Sequence, residues 1–261
     1  MLSRDWNLKS SFIISLERVM RVSVVVPAYN EEKTIADVLS ALIREVPDLH
    51  EIIVVDDGSK DRTAEIAESY RQQHPQVKVI RQPKNMGKTA ALRTGFAATT
   101  GEIVLVQDAD LEYDPADIAQ LIEPIQKGLA DVAYGSRFMI RRASRVLYFR
   151  HYLANHFLTF LSNLLTDLNL SDVETGYKAF RGEIIRNMII ETKGFGFEIE
   201  VTAKVAKLKC RVYEVPISYH GRTYEEGKKI GVKDGIDALF YIFKYNLFVG
   251  LKKSFKKIPE L

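Results

Sequence analysis

A chain of 261 residues, 46% hydrophobic and 27% charged, has the length for one large domain and the composition to bury a sizeable core. A formal charge of +3 is too slight to argue for nucleic-acid binding. A single cysteine, Cys210, excludes a disulfide framework or a cysteine-rich zinc site and fits a reducing compartment.

Met1–Val19 reads as an extension, and Met20 offers a second start. Its one apolar patch, Phe12-Ile13-Ile14, is flanked by charges and is too short for a signal peptide. No run has the length and apolarity of a transmembrane helix. From Arg21 onward strand and helix patterns alternate. Strands are predicted at Val22–Val26, Glu51–Val55, Val77–Ile80, Ile103–Gln107 and Asp131–Tyr134. Helices are predicted at Ile35–Val46, Thr63–Gln73 (with Asp61 as its cap), Thr89–Ala98 and Ala116–Lys127. The strands are continuous apolar runs, so they belong to a mostly parallel sheet with helices on both faces. The second half changes character. Leu153, Phe157, Phe160, Leu161, Leu164 and Leu168 recur on one face of a helix over Val146–Leu168, which Arg141, Arg142, Arg145 and Arg150 precede or open. An aromatic-rich helix covers Val232–Phe248 and runs into the basic tail Lys252–Lys257. The expected organisation is an extension over 1–20, a catalytic α/β domain over 21–231, and a C-terminal amphipathic helix with basic tail over 232–261.

The chemistry-bearing residues follow strand ends, where open α/β sheets bind ligands. Pro27-Ala28-Tyr29-Asn30-Glu31-Glu32 follows the first strand; it suits a nucleotide contact, or Glu31 and Glu32 serve the first turn of the next helix. Asp56-Asp57-Gly58-Ser59 follows the second; it reads equally as a base or ribose contact and as a turn with a helix cap. Gly87-Lys88-Thr89 looks like the end of a phosphate-binding P-loop, but Gln82 stands where that motif needs glycine. Lys88 still opens a helix whose N-terminus attracts anions. Asp108-Ala109-Asp110-Leu111-Glu112 is the strongest local signal: two acids one residue apart after a buried strand can share Mg²⁺ with a substrate diphosphate. Capping and turn duty is the competing reading. Gly135-Ser136-Arg137 follows the fifth strand and suits a phosphate. Arg222, Lys228 and Lys229 lie in a Gly-bounded loop that reads as a lid over an anion or as solvated surface. His220 reads as structural.

In this order, the segments Val24–Glu32, Val54–Thr63, Asn85–Lys88 and Asp108–Asp110 resemble the family 2 glycosyltransferases of GT-A fold, from about Arg21 to about Tyr245. Gly135-Ser136-Arg137, Thr175-Gly176-Tyr177-Lys178-Ala179-Phe180 and the basic loop are similar to the polyprenyl-phosphate (dolichyl-phosphate) mannosyl- and glucosyltransferase branch. The resemblance implies a Rossmann-like GT-A sheet with a C-terminal helical appendage. It implies inverting transfer of mannose or glucose from a nucleotide sugar, of the GDP-mannose or UDP-glucose class, to a lipid-linked phosphate. Pro27, Tyr29, Glu31, Asp56, Asp57 and Lys88 would contact the donor nucleotide. Asp108 and Asp110, with Glu112, would hold Mg²⁺ or Mn²⁺ and the diphosphate. Ser136, Arg137, Arg222 and Lys228 would face the acceptor phosphate, with Asp108, Asp110 and Arg137 as the catalytic set. Such an enzyme would sit peripherally on the cytoplasmic face of the cell membrane, as a monomer or an oligomer. Glu112 departs from the branch, which often has Gln there. A hydroxyl acceptor would need a base, with Asp172 and Glu174 as candidates; a nucleotidyltransferase and a non-catalytic nucleotide-binding protein are further alternatives.

Overall fold

The apolar runs of the first half become strands buried along most of their length. A computed structural model describes residues 20–261 apart from 140–144, 146–147, 195 and 222–231. In chain order the first half comprises β1 (Val22–Ala28), α1 (Ile35–Glu45), β2 (Glu51–Asp56), α2 (Thr63–Gln73), β3 (Val77–Arg81), α3 (Lys88–Ala98), β4 (Ile103–Val106), α4 (Ile118–Gln126) and β5 (Val132–Ser136). Every residue of β1, β2, β4 and β5 is buried. Two local predictions are corrected. Glu31 and Glu32 lie ahead of α1, whose first turn carries Asp37 instead. The fourth helix begins as a 3-10 turn, Pro115–Asp117, because Asp114 accepts the Ala116 N–H at 2.9 Å and Pro115 fixes the entry.

The second half comprises α5 (Phe149–Thr166), β6 (Lys178–Arg181), α6 (Gly182–Asn187), α7 (Phe197–Leu208), β7 (Val212–Pro216), α8 (Val232–Phe243), a π-helical turn at Lys244–Phe248 and α9 (Leu251–Ser254). The seven strands form one sheet in the order β3-β2-β1-β4-β6-β5-β7. Only β6 runs against its neighbours; it bridges β4 and β5, with Val104 opposite Phe180 and Ala133 opposite Ala179. One core layer, including Val24, Leu39, Ile52, Leu105 and Leu121, fills one face. The other, including Val25, Phe96, Val106, Phe180, Phe197 and Phe255, fills the opposite face.

The C-terminal segment packs closely onto the domain. Ala238 and Ile242 of α8 join Leu158, Val173 and Ile199, and Phe255 enters the second core layer beside a bridge to Met188. The apolar face read from the sequence over Val146–Leu168 is only partly packed. Leu158, Leu161 and Leu165 pack inward, whereas Leu153, Phe157, Phe160 and Leu164 are 51–68% exposed. Ile236, Phe240 and Phe243 on the adjoining α8 are exposed as well, so two neighbouring helices carry outward apolar side chains. Among the described residues no helix is long and apolar enough to cross a membrane.

Candidate active site

β1, β2, β4 and β5 run in one direction and end on one edge of the sheet, and the strand order reverses between β1 and β4. Such a reversal opens a crevice beyond the strand ends. Three loops meet there. At the end of β1, buried Pro27 and then half-buried Tyr29 lead into Asn30, whose φ of +53° turns the chain sharply. Asn30 accepts the Lys60 N–H at 2.9 Å, and the Glu31 N–H donates to Thr63 Oγ1 at 2.8 Å, which fastens this loop to the one after β2. Thr34 Oγ1 donates to the Ala109 carbonyl at 2.6 Å, which fastens it to the acid pair.

At the end of β2, Asp56 and the following Asp57 are both buried. Asp56 accepts the Ser59 N–H at 3.3 Å and lies 3.7 Å from Arg81 Nε. The two oxygens of Asp57 accept the Met86 and Gly87 N–H groups, each at 2.8 Å. Asp57 therefore holds the loop that aims Lys88. Gly58 is obligatory for this contact: its φ is +71°, and a Cβ there would lie 2.7 Å from the Lys84 backbone. Asp61, predicted to cap α2, lies one residue before the cap position, which is Arg62, and its Oδ1 accepts the Thr63 N–H at 3.0 Å.

After β4, the acid loop is braced from below. Buried Gln107 donates to the Tyr113 carbonyl at 3.3 Å and accepts Tyr177 Oη at 3.0 Å. Tyr113 stacks on Tyr177, with centroids 5.0 Å apart, and its hydroxyl accepts the Gly176 N–H at 2.8 Å. Asp108 faces Lys88, whose ammonium lies 2.9 Å from its carboxylate and 3.4 Å from Glu198. Burial works against the charge on Lys88, but Asp108 and Glu198 outweigh it and hold the ammonium firmly protonated. Asp110 accepts the Glu112 N–H at 3.2 Å, and the Glu112 carboxylate accepts Tyr219 Oη at 2.8 Å.

After β5, Arg137 grips Asp172 with two parallel bonds, Nε to Oδ2 at 2.6 Å and Nη2 to Oδ1 at 2.7 Å. Its guanidinium lies 5.1 Å from the Tyr219 ring centroid. Burial opposes this charge too, and Asp172 reverses the effect. Ser136 is fully buried; its hydroxyl pairs with Ser171 Oγ at 2.6 Å and accepts the Phe138 N–H at 3.2 Å. Arg222, Lys228 and Lys229 lie outside the described residues. Arg145 donates to the carbonyl of Gly221, the last described residue before them, at 3.0 Å.

The segment Asp172–Gly176 joins the two sides. Asp172 holds Arg137 at one end, and at the other a Cβ on Gly176 would lie 2.9 Å from Asp108 Oδ2. Between them sits Glu174, pushed up to about 7 by burial and by Glu198. Lys178 is fully buried, donates to the Val173 carbonyl at 2.9 Å and is pushed down to about 8 by burial, against the pull of Glu198, Asp172 and Glu174. Single motifs did not reveal Tyr113, Tyr219, Glu198 and Lys178. The signal for Lys178 was its place in the Thr175–Phe180 stretch, while Glu198 lies in a helix with no motif.

Among the described residues no three Asp, Glu, His or Cys side chains converge as a ready metal cage. Asp108 and Asp110 offer two hard carboxylates, and the ammonium of Lys88 supplies positive charge beside one of them. That donor set fits Mg²⁺ or Mn²⁺ where substrate phosphates and water complete the shell.

A model of the family described as "Glycosyl transferase family 2" matches residues 23–189. The chain is 33% identical over 215 residues to a dolichol-phosphate mannosyltransferase of Pyrococcus furiosus, across 81% of this chain and 60% of that protein. It is 31% identical over 218 residues to an undecaprenyl-phosphate mannosyltransferase of Micrococcus luteus, across 81% and 88%. Its fold is similar to that of glucosyl-3-phosphoglycerate synthase from Mycobacterium tuberculosis, solved with Mn²⁺, UDP and glucosyl-3-phosphoglycerate. The TM-score is 0.68 at 22% identity, covering 87% of this chain and 80% of that one. The sheet order, the crevice beyond β1, β2 and β4 and the family match agree: this chain belongs to the family 2 glycosyltransferases and has their GT-A fold.

Proposed function

We propose that this protein transfers mannose or glucose from a nucleotide sugar to a polyprenyl phosphate, with inversion, at the cytoplasmic face of a membrane. The supporting observation is the pair of ion pairs at opposite ends of Asp172–Gly176: Lys88–Asp108 on the diphosphate side, Arg137–Asp172 on the acceptor side. Each side holds a cation that is paired with a carboxylate in the free chain. The relatives named for dolichol and undecaprenyl phosphate point to the same acceptor class.

In this reading the loops at Pro27–Glu31 and Asp56–Asp57 form the nucleotide cradle. Asp108 and Asp110 hold a divalent cation, which when bound supplies Lewis-acid stabilisation of the leaving diphosphate. Lys88 exchanges Asp108 for a phosphate oxygen as the donor enters, keeping its charge where negative charge develops. The two bonds to Asp172 fix the plane of Arg137, and a guanidinium has further N–H donors to offer an acceptor phosphate. Because Asp172 balances the charge of Arg137, surplus positive charge for the acceptor falls to Arg222 and Lys228. The acceptor is already anionic near neutral pH, so its oxygen attacks without a strong base. One observation favours a second reading, a hydroxyl acceptor. Asp172 is locked by Arg137, but Glu174 is raised to about 7, near the value a general base needs.

The outward apolar side chains of α5 and α8 would rest in the bilayer interface, with Arg150, Lys252 and Lys253 exposed for anionic headgroups. A screen of UDP-glucose and GDP-mannose with polyprenyl phosphate and Mg²⁺ or Mn²⁺ tests the reaction class. Release of a nucleoside diphosphate is expected; pyrophosphate would mark a nucleotidyltransferase.

A further inference from the structure

Among the described residues, Glu174 is a carboxyl of the crevice wall with an oxygen left unsatisfied. Its Oε1 is enclosed and has no hydrogen-bond partner among the described residues. An enclosed oxygen without a partner is costly, and such groups in native sites commonly await a ligand or water. The neighbours that feel its charge are Glu198, Lys178, Arg137 and Asp172. Each already has a partner: Glu198 has Lys88, Lys178 has backbone carbonyls, and Arg137 and Asp172 have each other. The position is equally specific. Glu174 lies two residues from Asp172, which orients Arg137, and two from Gly176, which abuts Asp108. Its segment thus runs from the residue that orients Arg137 to the residue that abuts Asp108, which in the proposed reading flank the transferred sugar.

We propose that Glu174 is a sugar-binding residue, whose carboxyl hydrogen-bonds a hydroxyl of the hexose and so positions its anomeric carbon and selects the donor. This rests on the nucleotide-sugar transferase reading. A sugar hydroxyl both donates and accepts, and a carboxyl raised to about 7 by burial does the same in its neutral form. The neutral form also avoids placing a further negative charge beside the diphosphate.

The test compares the full chain with its Glu174→Ala and Glu174→Gln variants by calorimetry. The probes are UDP and GDP against UDP-glucose and GDP-mannose, all with Mg²⁺. The nucleoside diphosphate, which lacks the sugar, is the internal control for folding. Glu174→Ala should bind the preferred diphosphate like the parent chain but the matching nucleotide sugar about 10-fold more weakly, the effect of one hydrogen bond to a partly charged group. Glu174→Gln, which still donates and accepts, should restore most of that affinity. Equal loss for diphosphate and nucleotide sugar would assign Glu174 a structural role and overturn the proposal. Unchanged sugar binding with lost turnover would overturn it in favour of a general base. If neither UDP nor GDP binds the parent chain, the transferase reading fails first and the proposal with it.

Discussion

Asp110 and Arg137 make different demands on their surroundings, and their variants should fail differently. Asp110 accepts the Glu112 N–H at 3.2 Å, a bond that an asparagine side-chain oxygen also accepts. Asp110→Asn should reduce transfer by about 10²- to 10³-fold, the scale of losing one electrostatic stabiliser of a transition state. Its thermal unfolding should match the parent; undiminished turnover would remove the cation assignment. Arg137→Ala leaves Asp172 charged and fully buried. Urea unfolding should show a loss of about 3 kcal/mol, in the range for a broken buried pair. Glu51 shows the same physics away from the site. Burial would raise its carboxyl, but Lys78, Ser23 and Thr100 reverse this and hold it at about 2. A depressed carboxylate stabilises the fold above its unfolded value, and that stabilisation is lost as pH falls toward the folded value. The stability gap between parent and Glu51→Gln should therefore be full at pH 6 and shrink steadily from pH 4.5 toward 2.

At the level of elements, legibility followed burial. β1, β2 and β4 were readable because a strand buried on both faces is a continuous apolar run, and the acid pair was readable because it ends such a run. α7 was not, because it is buried nearly all round and carries Glu198, Glu200 and Lys204 inside. Glu200 there accepts the Thr192 N–H at 2.8 Å and pairs with Lys204 at 2.5 Å, so polar letters occupy core positions and erase the period. β6 is only four residues long and begins with buried Lys178, which no strand pattern contains. α5 is apolar on two sides, and periodicity alone does not say which side packs. The Asp172–Gly176 segment was legible only through resemblance, since its role depends on strands distant in sequence. Gly176→Ala tests that role. The added methyl would lie 2.9 Å from Asp108 Oδ2 and 3.3 Å from the Tyr113 ring. Stability should fall by about 1–3 kcal/mol, as for overpacking, and diphosphate binding should weaken.

For the whole molecule, α8 and the tail pack on α5, α7 and the second core layer, so the surface of α5 and α8 is rigidly placed relative to the crevice. Phe138, next to Arg137, packs on Tyr152 and His156 of α5, so in the proposed reading the acceptor end of the crevice adjoins this surface. Phe160→Glu combined with Phe240→Glu, at two side chains each 62% exposed, should leave unfolding nearly unchanged and abolish flotation with anionic liposomes. Retained flotation would remove the membrane role of this face. The most direct measurement offers labelled nucleotide sugar with polyprenyl phosphate and a panel of hydroxyl acceptors in one reaction. Label should pass to the polyprenyl phosphate, with its nucleoside diphosphate released in equal amount and no label moved by Asp110→Asn. Label on the hydroxyl compounds alone would contradict the phosphate acceptor and leave Glu174 as the base of a different transferase.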